Sequence, residues 1–173
     1  MKYYSKNFEL VLIAMLVALN IVLTRVASID LTPYLRIGFG FLPTAVAGML
    51  LGPVHAMTVA GISDVLGYLI KPTGAYYFGF TLTAILSALV YALFFYQKQI
   101  TFLRLLLARF IVVVFFSLCL NTLWLQQLQG QVFIALLPPR AIKAAAQFPF
   151  DIMLLFGIAG IIKNIPLFHL RKD

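Results

Sequence analysis

The chain has 173 residues, of which 63% are apolar and only 10% charged, and its mean hydropathy is +1.03. A water-soluble domain carries about 45–50% apolar and about 25% charged residues, and a chain this small is mostly surface, so this much apolar area cannot be hidden from water. The solvent must be lipid, which excludes a cytosolic enzyme. It also excludes a nucleic-acid binder despite a net charge of +8 and a pI near 9.8, because basic residues of membrane proteins gather at the cytoplasmic ends of their spans.

A spanning helix needs about 20 mostly apolar residues. The first candidate covers residues 8–26 behind Lys2 and Lys6; Arg25 falls where a signal-peptide cleavage site would begin, so the segment reads as retained. The apolar block that follows is too long for one helix and is divided by Gly52-Pro53, a strong turn signal, into short spans over 37–51 and 54–70. A loop over 71–77 leads into a span over 78–96, and Gln97-Lys98-Gln99 separates this from one over 101–125. The polar stretch 126–131 ends that span, a short apolar piece reaches Pro138-Pro139, and the last span covers 140–165, stopped by Pro166 ahead of His169, Arg171 and Lys172. The expectation is an all-α integral membrane protein, six transmembrane helices in one compact bundle, with a single membrane domain over 1–173. Of the 13 Lys and Arg, Lys2, Lys6, Lys98, Arg104, Arg109, Lys163, Arg171 and Lys172 fall on the side of the termini, although Arg109 lies deep; Arg25, Arg36, Lys71, Arg140 and Lys143 fall on the other. That asymmetry favours both termini in the cytoplasm.

Several chemistries are missing. No phosphate-binding loop occurs, His55 and His169 stand far apart outside any metalloprotease pattern, and the lone Cys119 reads as a small core residue, so no metal and no cofactor are expected. The acids are Glu9, Asp30, Asp64, Asp151 and Asp173; only Asp64 with Asp151 would suit a paired-aspartate enzyme acting on lipid headgroups, which is the enzymatic alternative.

The five outward basic residues carry the most information. Singly, each reads as a side chain snorkelling to headgroups; together they form a cup that attracts an anion and holds carboxylates. Arg140, Lys143, Gln147 and Asp151 recur every three or four residues on one helical face, a stripe that either lines a filled cavity or bonds neighbouring helices. Asp64 and Asn121, in the outer parts of their spans, either pair with the edge of a heterocycle or bond neighbouring helices. Phe39, Phe41, Tyr76, Tyr77 and Trp124 flank them, either to stack a planar ligand or as the interfacial aromatic belt. The combination points to a planar, anionic, water-soluble ligand. Ala14 and Ala18 form a small-residue contact face on the first span, but Ala56/Ala60 and Ala84/Ala88/Ala92 repeat the spacing.

The strings Arg36-Ile-Gly-Phe-Gly-Phe-Leu-Pro43, Asp64-Val-Leu-Gly67, Pro72-Thr-Gly74, Gly79-Phe-Thr-Leu82, Asn121-Thr-Leu-Trp124 and Leu137-Pro-Pro-Arg-Ala-Ile-Lys143 occur in this order. In that order and spacing, over nearly the whole chain, the sequence resembles the folate-specific S-components of the energy-coupling factor (ECF) vitamin transporters. The resemblance implies a six-helix protein of the bacterial plasma membrane. Such a protein captures folate at the extracellular side and delivers it by reorienting in the membrane when docked on an energy-coupling module. That module would comprise a transmembrane coupling protein and two cytoplasmic ATPases, where ATP is consumed; membrane lipid is the remaining partner and nucleic acid is not one. Under this resemblance Asp64 or Asn121 reads the pterin edge, Tyr76 and Trp124 stack on it, and Arg25, Arg36, Arg140 and Lys143 face the anionic parts. Pro72, Thr73, Gly74 and Tyr77 belong to a gating loop, and Ala14 and Ala18 form the face that docks on the coupling protein. The competing expectations are an S-component for riboflavin, which is uncharged and needs no basic rim, or for thiamin, whose positive charge the rim would oppose. Outside the family stand the headgroup enzyme and a structural subunit without a ligand.

Overall fold

The computed structural model describes residues 6–32, 35–72, 75–130 and 133–164, with the backbone alone over 29–37 and at 129. Helix α1, Lys6–Ile21, runs on through a π-helical stretch, Val22–Val26, and turns into a two-stranded hairpin, β1 Ile29–Thr32 with β2 Leu35–Ile37. Its strands pair antiparallel, Ile29 opposite Ile37 and Asp30 opposite Arg36, with an irregularity before Thr32 meets Leu35. Then follow α2 Phe41–Leu50, α3 Pro53–Ile70, α4 Phe78–Phe95 and α5 Phe102–Ile111. A second π-helical stretch, Val112–Leu120, joins α5 to α6, Asn121–Gln129, and α7 spans Phe133–Asn164.

Five of these rods are long and apolar enough to cross a bilayer: Lys6–Val26, Pro53–Ile70, Phe78–Phe95, Phe102–Leu128 and Phe133–Asn164. Apolar side chains such as Val11, Met15, Leu69, Ile134, Phe150 and Met153 stand exposed along them, as a lipid-facing surface requires. Helix α2 differs. Its ten residues reach only about 15 Å at 1.5 Å per residue, half of a hydrocarbon core about 30 Å thick. It is therefore sunk in protein, with Leu42, Pro43, Thr44, Ala45, Ala47, Gly48 and Met49 all buried. The carbonyl of Gly40, at the start of α2, is held from inside the protein, accepting from the Asn20 amide at 3.1 Å and the Thr44 hydroxyl at 3.0 Å.

The expected boundaries shift in three places for physical reasons. The second helix begins at Phe41 rather than at 37, because Ile29, Leu31 and Ile37 alternate with polar neighbours and pair as strands instead. The fifth rod continues past 125 to Gln129 and stops at Gly130, whose φ of 68° only glycine adopts without strain. The last helix starts at Phe133 and carries Pro138, Pro139 and Pro149 inside it. Proline removes a ladder bond, but neighbouring helices in a membrane bundle re-satisfy the freed carbonyls.

Two apolar clusters hold the bundle together. One gathers Leu42, Met49, Tyr91, Phe95, Leu105 and Leu155; the other packs Leu16 and Val17 of α1 against Ala47, Ala56, Val59, Ala60, Ala88 and Ala92. Small residues dominate the second because close approach, not exclusion from water, drives helix association in lipid. Gly48 marks a close crossing of backbones: a Cβ there would stand 2.9 Å from the Ala92 nitrogen and 3.1 Å from the Tyr91 carbonyl carbon. Gly48→Val is accordingly expected to force α2 and α4 apart at a cost of about 1–3 kcal/mol, seen as a lower unfolding midpoint in detergent. An unchanged midpoint would show that this crossing has slack.

Candidate binding site

A cavity of about 190 Å³ lies between α1, α2, α3 and α4 toward the end of the bundle that carries the hairpin. Helical spacing explains its lining. Asn20 and Thr24 are one turn apart on α1, Ala60 and Asp64 one turn apart on α3, and Ala84, Ser87 and Tyr91 follow one face of α4; Phe41 and Thr44 come from α2 and Val112 closes the side. One wall is a closed polar cluster, with the Asn20 amide donating to the Thr44 hydroxyl at 2.9 Å and the Thr24 hydroxyl donating to the Asn20 oxygen at 3.0 Å. Gly40 sits where any Cβ would collide with Thr24 and press on Asn20. The volume is below the roughly 300–1,000 Å³ of a site that swallows a drug-sized ligand whole, and suits one ring system of it.

Of the polar residues expected in the site, Asp64 is the one among the described side chains that lines this cavity, and of the expected aromatics Phe41 does. Asp64 is already engaged: one carboxylate oxygen accepts from the Thr81 hydroxyl at 2.7 Å, and the other lies 3.8 Å from the Arg25 guanidinium. Arg25 is not the open rim cation that its position suggests. It is 7% exposed and also reaches the Lys71 carbonyl at 3.4 Å, while the Lys71 ammonium returns a bond to the Arg25 carbonyl at 3.1 Å. The pair ties the end of α1 to the end of α3. Tyr76 joins the same network through a 2.8 Å contact between its hydroxyl and that of Thr81, and its ring packs on Tyr68 with centroids 5.0 Å apart.

A second group assembles around Thr83 of α4, one turn before the cavity-lining Ser87. Trp124 donates from its indole nitrogen to the Thr83 hydroxyl at 3.0 Å and lies against Tyr77, centroids 5.6 Å apart. The Tyr77 hydroxyl donates to the Gln127 amide oxygen, so the half of the expected gate nearest α4 is tied to α6. Gly79 leaves room for both rings; a Cβ there would come within 2.6 Å of the indole. Asn121, one turn before Trp124, has its side-chain oxygen buried without a hydrogen-bond partner. Arg140 donates from one terminal nitrogen to the Ser117 carbonyl at 3.0 Å, inside the π-helical stretch, while its Nε is buried without a partner. Lys143 follows one turn later, half-buried. Buried polar atoms are nearly always satisfied, and among the described residues the Asn121 oxygen, the Arg140 Nε and the Ser63 and Thr122 hydroxyls lack a partner. Pro72 is exposed; Thr73 and Gly74 lie outside the described residues, as does the side chain of Arg36.

The polar stripe on α7 divides in function. Its lower half is spent on the bundle: the Gln147 amide donates to Asp151 one turn on at 3.1 Å, and Arg109 joins α5 to α7 by donating to the other Asp151 oxygen at 3.1 and 2.5 Å. Arg109 is therefore a buried partner and not a charge of the N-terminal surface, which narrows the charge asymmetry by one. Asp64 and Asp151 belong to separate networks, each with its own arginine, and do not share a site as a catalytic pair would. Among the described residues, no three His, Cys, Asp or Glu side chains converge as metal ligands.

Sequence reasoning passed over Asn20, Thr24, Thr44, Thr81, Thr83 and Ser87. The signal was present for the first two, a polar pair one turn apart in an otherwise apolar span. Ala14 and Ala18 are exposed, whereas Ala56, Ala60, Ala88 and Ala92 are consumed inside the bundle.

A family model described as the ECF-type riboflavin transporter S component matches residues 6–170. The chain is 41% identical over 160 residues to the folate transporter FolT of Clostridium novyi, covering 92% of each protein. It is 34% identical over 162 residues to the folate transporter FolT of Leuconostoc mesenteroides, covering 90% of this chain and 84% of that one. Among solved structures it is similar to a crystal structure of FolT bound with folic acid, with a TM-score of 0.83 and 33% identity over 87% of this chain and 92% of that chain.

Proposed function

Because the chain belongs to the S components of ECF-type transporters, we propose that it captures folate for an ATP-driven uptake system of the bacterial plasma membrane. The chain is a transport subunit and not an enzyme. What carries the substrate reading is the whole-length likeness to a FolT structure that holds folic acid. The site supports it from the residues upward. A pterin is planar with a donor–acceptor edge, and the glutamate end of folate carries two carboxylates. Asn121 offers an unpaired amide oxygen, Trp124 and Tyr77 offer an aromatic wall, and Arg140 and Lys143 offer positive charge on the adjoining face of α7.

In this reading the hairpin end faces outward, both termini are cytoplasmic, and the chain is one membrane domain whose sixth helix is the sunken α2. Residues 72–77 gate the site. The Arg25–Asp64 pair serves it by fixing the helix ends around the cavity, with Asp64 and Tyr76 in reach of a ring placed there and Arg36 on the hairpin above. Ala14 and Ala18 dock on a transmembrane coupling protein that two cytoplasmic ATPases drive, so this subunit needs no cofactor of its own. The riboflavin description of the family model keeps riboflavin as the second reading.

Calorimetric titration of the detergent-purified chain with folic acid, riboflavin and thiamin separates these. Saturable one-to-one binding of folic acid alone is the expected result. Binding of riboflavin in its place would keep the family and discard the substrate.

A further inference from the structure

The Arg109–Asp151 pair is unusual for its cost. Asp151 is 1% exposed and Arg109 8%, and Arg109 stands about 10 Å along α5, well inside the bundle. A buried pair of this kind is generally no more stabilising than well-packed apolar side chains of the same volume, and is dearer still in a membrane interior. Stability therefore does not account for it, and its remaining contacts do something else. The Arg109 Nη1 donates to the Tyr91 hydroxyl at 2.9 Å, and its guanidinium carbon lies 3.9 Å from the centroid of the Phe41 ring. Tyr91 and Phe41 are the two aromatic walls of the cavity, contributed by different helices.

We infer that Arg109, held by Asp151, is a positioning residue that sets the two aromatic walls of the binding cavity without touching the ligand. Only a planar, forked cation makes these contacts at once: two bonds to one carboxylate oxygen, one to a phenol and one ring face covered. The Phe95 ring, stacked on Tyr91 with an interplanar angle of 17°, holds the tyrosine from its other side. Walls fixed before the ligand arrives lower the ordering cost of binding. Gln147, which completes the second Asp151 oxygen, extends the device up the face of α7 that carries Lys143 and Arg140.

The inference rests on the folate reading, and its test keeps the two apart. Replacing both partners together, Arg109→Met with Asp151→Leu, leaves no unpaired charge behind but orphans the buried Tyr91 hydroxyl, so the unfolding midpoint in detergent should fall only modestly and recover when Tyr91→Phe is added. Folic acid binding should weaken about tenfold, a coupling within the usual range for residues in contact. Tyr91→Phe should weaken binding severalfold in the wild type and add nothing in the double variant, because the phenol then has no guanidinium to meet. A purely structural pair would not produce that non-additivity in affinity. Binding unchanged in the double variant, or an equal Tyr91→Phe loss in both backgrounds, overturns the inference. Should the double variant not fold, Arg109→Lys keeps the charge and loses the fork, and the same Tyr91→Phe comparison decides. A folded wild type that does not bind folic acid overturns the substrate reading instead, and the comparison is then made with riboflavin.

Discussion

Asn121→Leu is expected to leave the empty protein as stable as before, or slightly more so, and to weaken its hold on folic acid by about 5- to 150-fold. The opposite signs come from one atom. The Asn121 side-chain oxygen is buried with no hydrogen-bond partner, so the empty protein bears its desolvation of about 1–3 kcal/mol without return. Leucine has the same branched skeleton, though it is larger, and removes that penalty. If the oxygen meets a donor on the ligand's heterocycle, the same 1–3 kcal/mol is recovered on binding and forfeited by the variant. Trp124→Ala should also weaken binding strongly, since stacking on a heterocycle is worth about 1–3 kcal/mol. It should lower the unfolding midpoint as well, because the indole bonds Thr83 and fills the space over Gly79. Lys98→Ala, at the other end of the bundle where the ammonium only caps the Leu93 carbonyl, serves as the control. Isothermal titration and thermal unfolding of each variant check this, and an Asn121→Leu protein that binds folic acid as the wild type does would remove Asn121 from the site.

What the sequence makes legible follows the range of the forces involved. Hydropathy over about twenty residues is a local property, so five long rods can be read directly, and so can the Gly52-Pro53 break, where a φ of 89° and a proline at the first helical position leave no other outcome. The hairpin was not legible because its strands are three and four residues long, and Ile37 merges into the apolar run of α2. Pro138 and Pro139 mislead for a different reason: proline reads as a helix stop in a sequence, yet it is tolerated inside membrane-spanning helices, and both fall within α7. The chemistry divides in the same way. The face shared by Arg140, Lys143, Gln147 and Asp151 is a matter of helical pitch and could be drawn from spacing. That Asp151 ends on Arg109, 42 residues away, and Asp64 on Arg25 are facts of packing, and each converts an apparent free charge into a strut.

Ala14→Trp combined with Ala18→Trp is expected to leave folic acid affinity within about twofold of the wild type and to abolish both folate uptake and co-purification with the coupling protein. The repeated small-xxx-small spacing does not single out this pair, and exposure is what sets it apart from the other two sets. Ala56, Ala60, Ala88 and Ala92 are spent on contacts within the bundle, whereas Ala14 and Ala18 stand open on a helix whose Val11, Met15 and Val22 are also exposed. Small residues at a helix contact let the two backbones approach closely, and an indole at either alanine occupies that space. The pair lies on the outside of the bundle, away from Asp64, Asn121 and Trp124, so capture and delivery should separate cleanly in the variant. Leu69→Trp, also exposed but on α3, should reduce neither binding nor uptake. Equal uptake by the alanine variant and the wild type would move the docking face elsewhere. Loss of uptake in the Leu69 variant alone would point to α3.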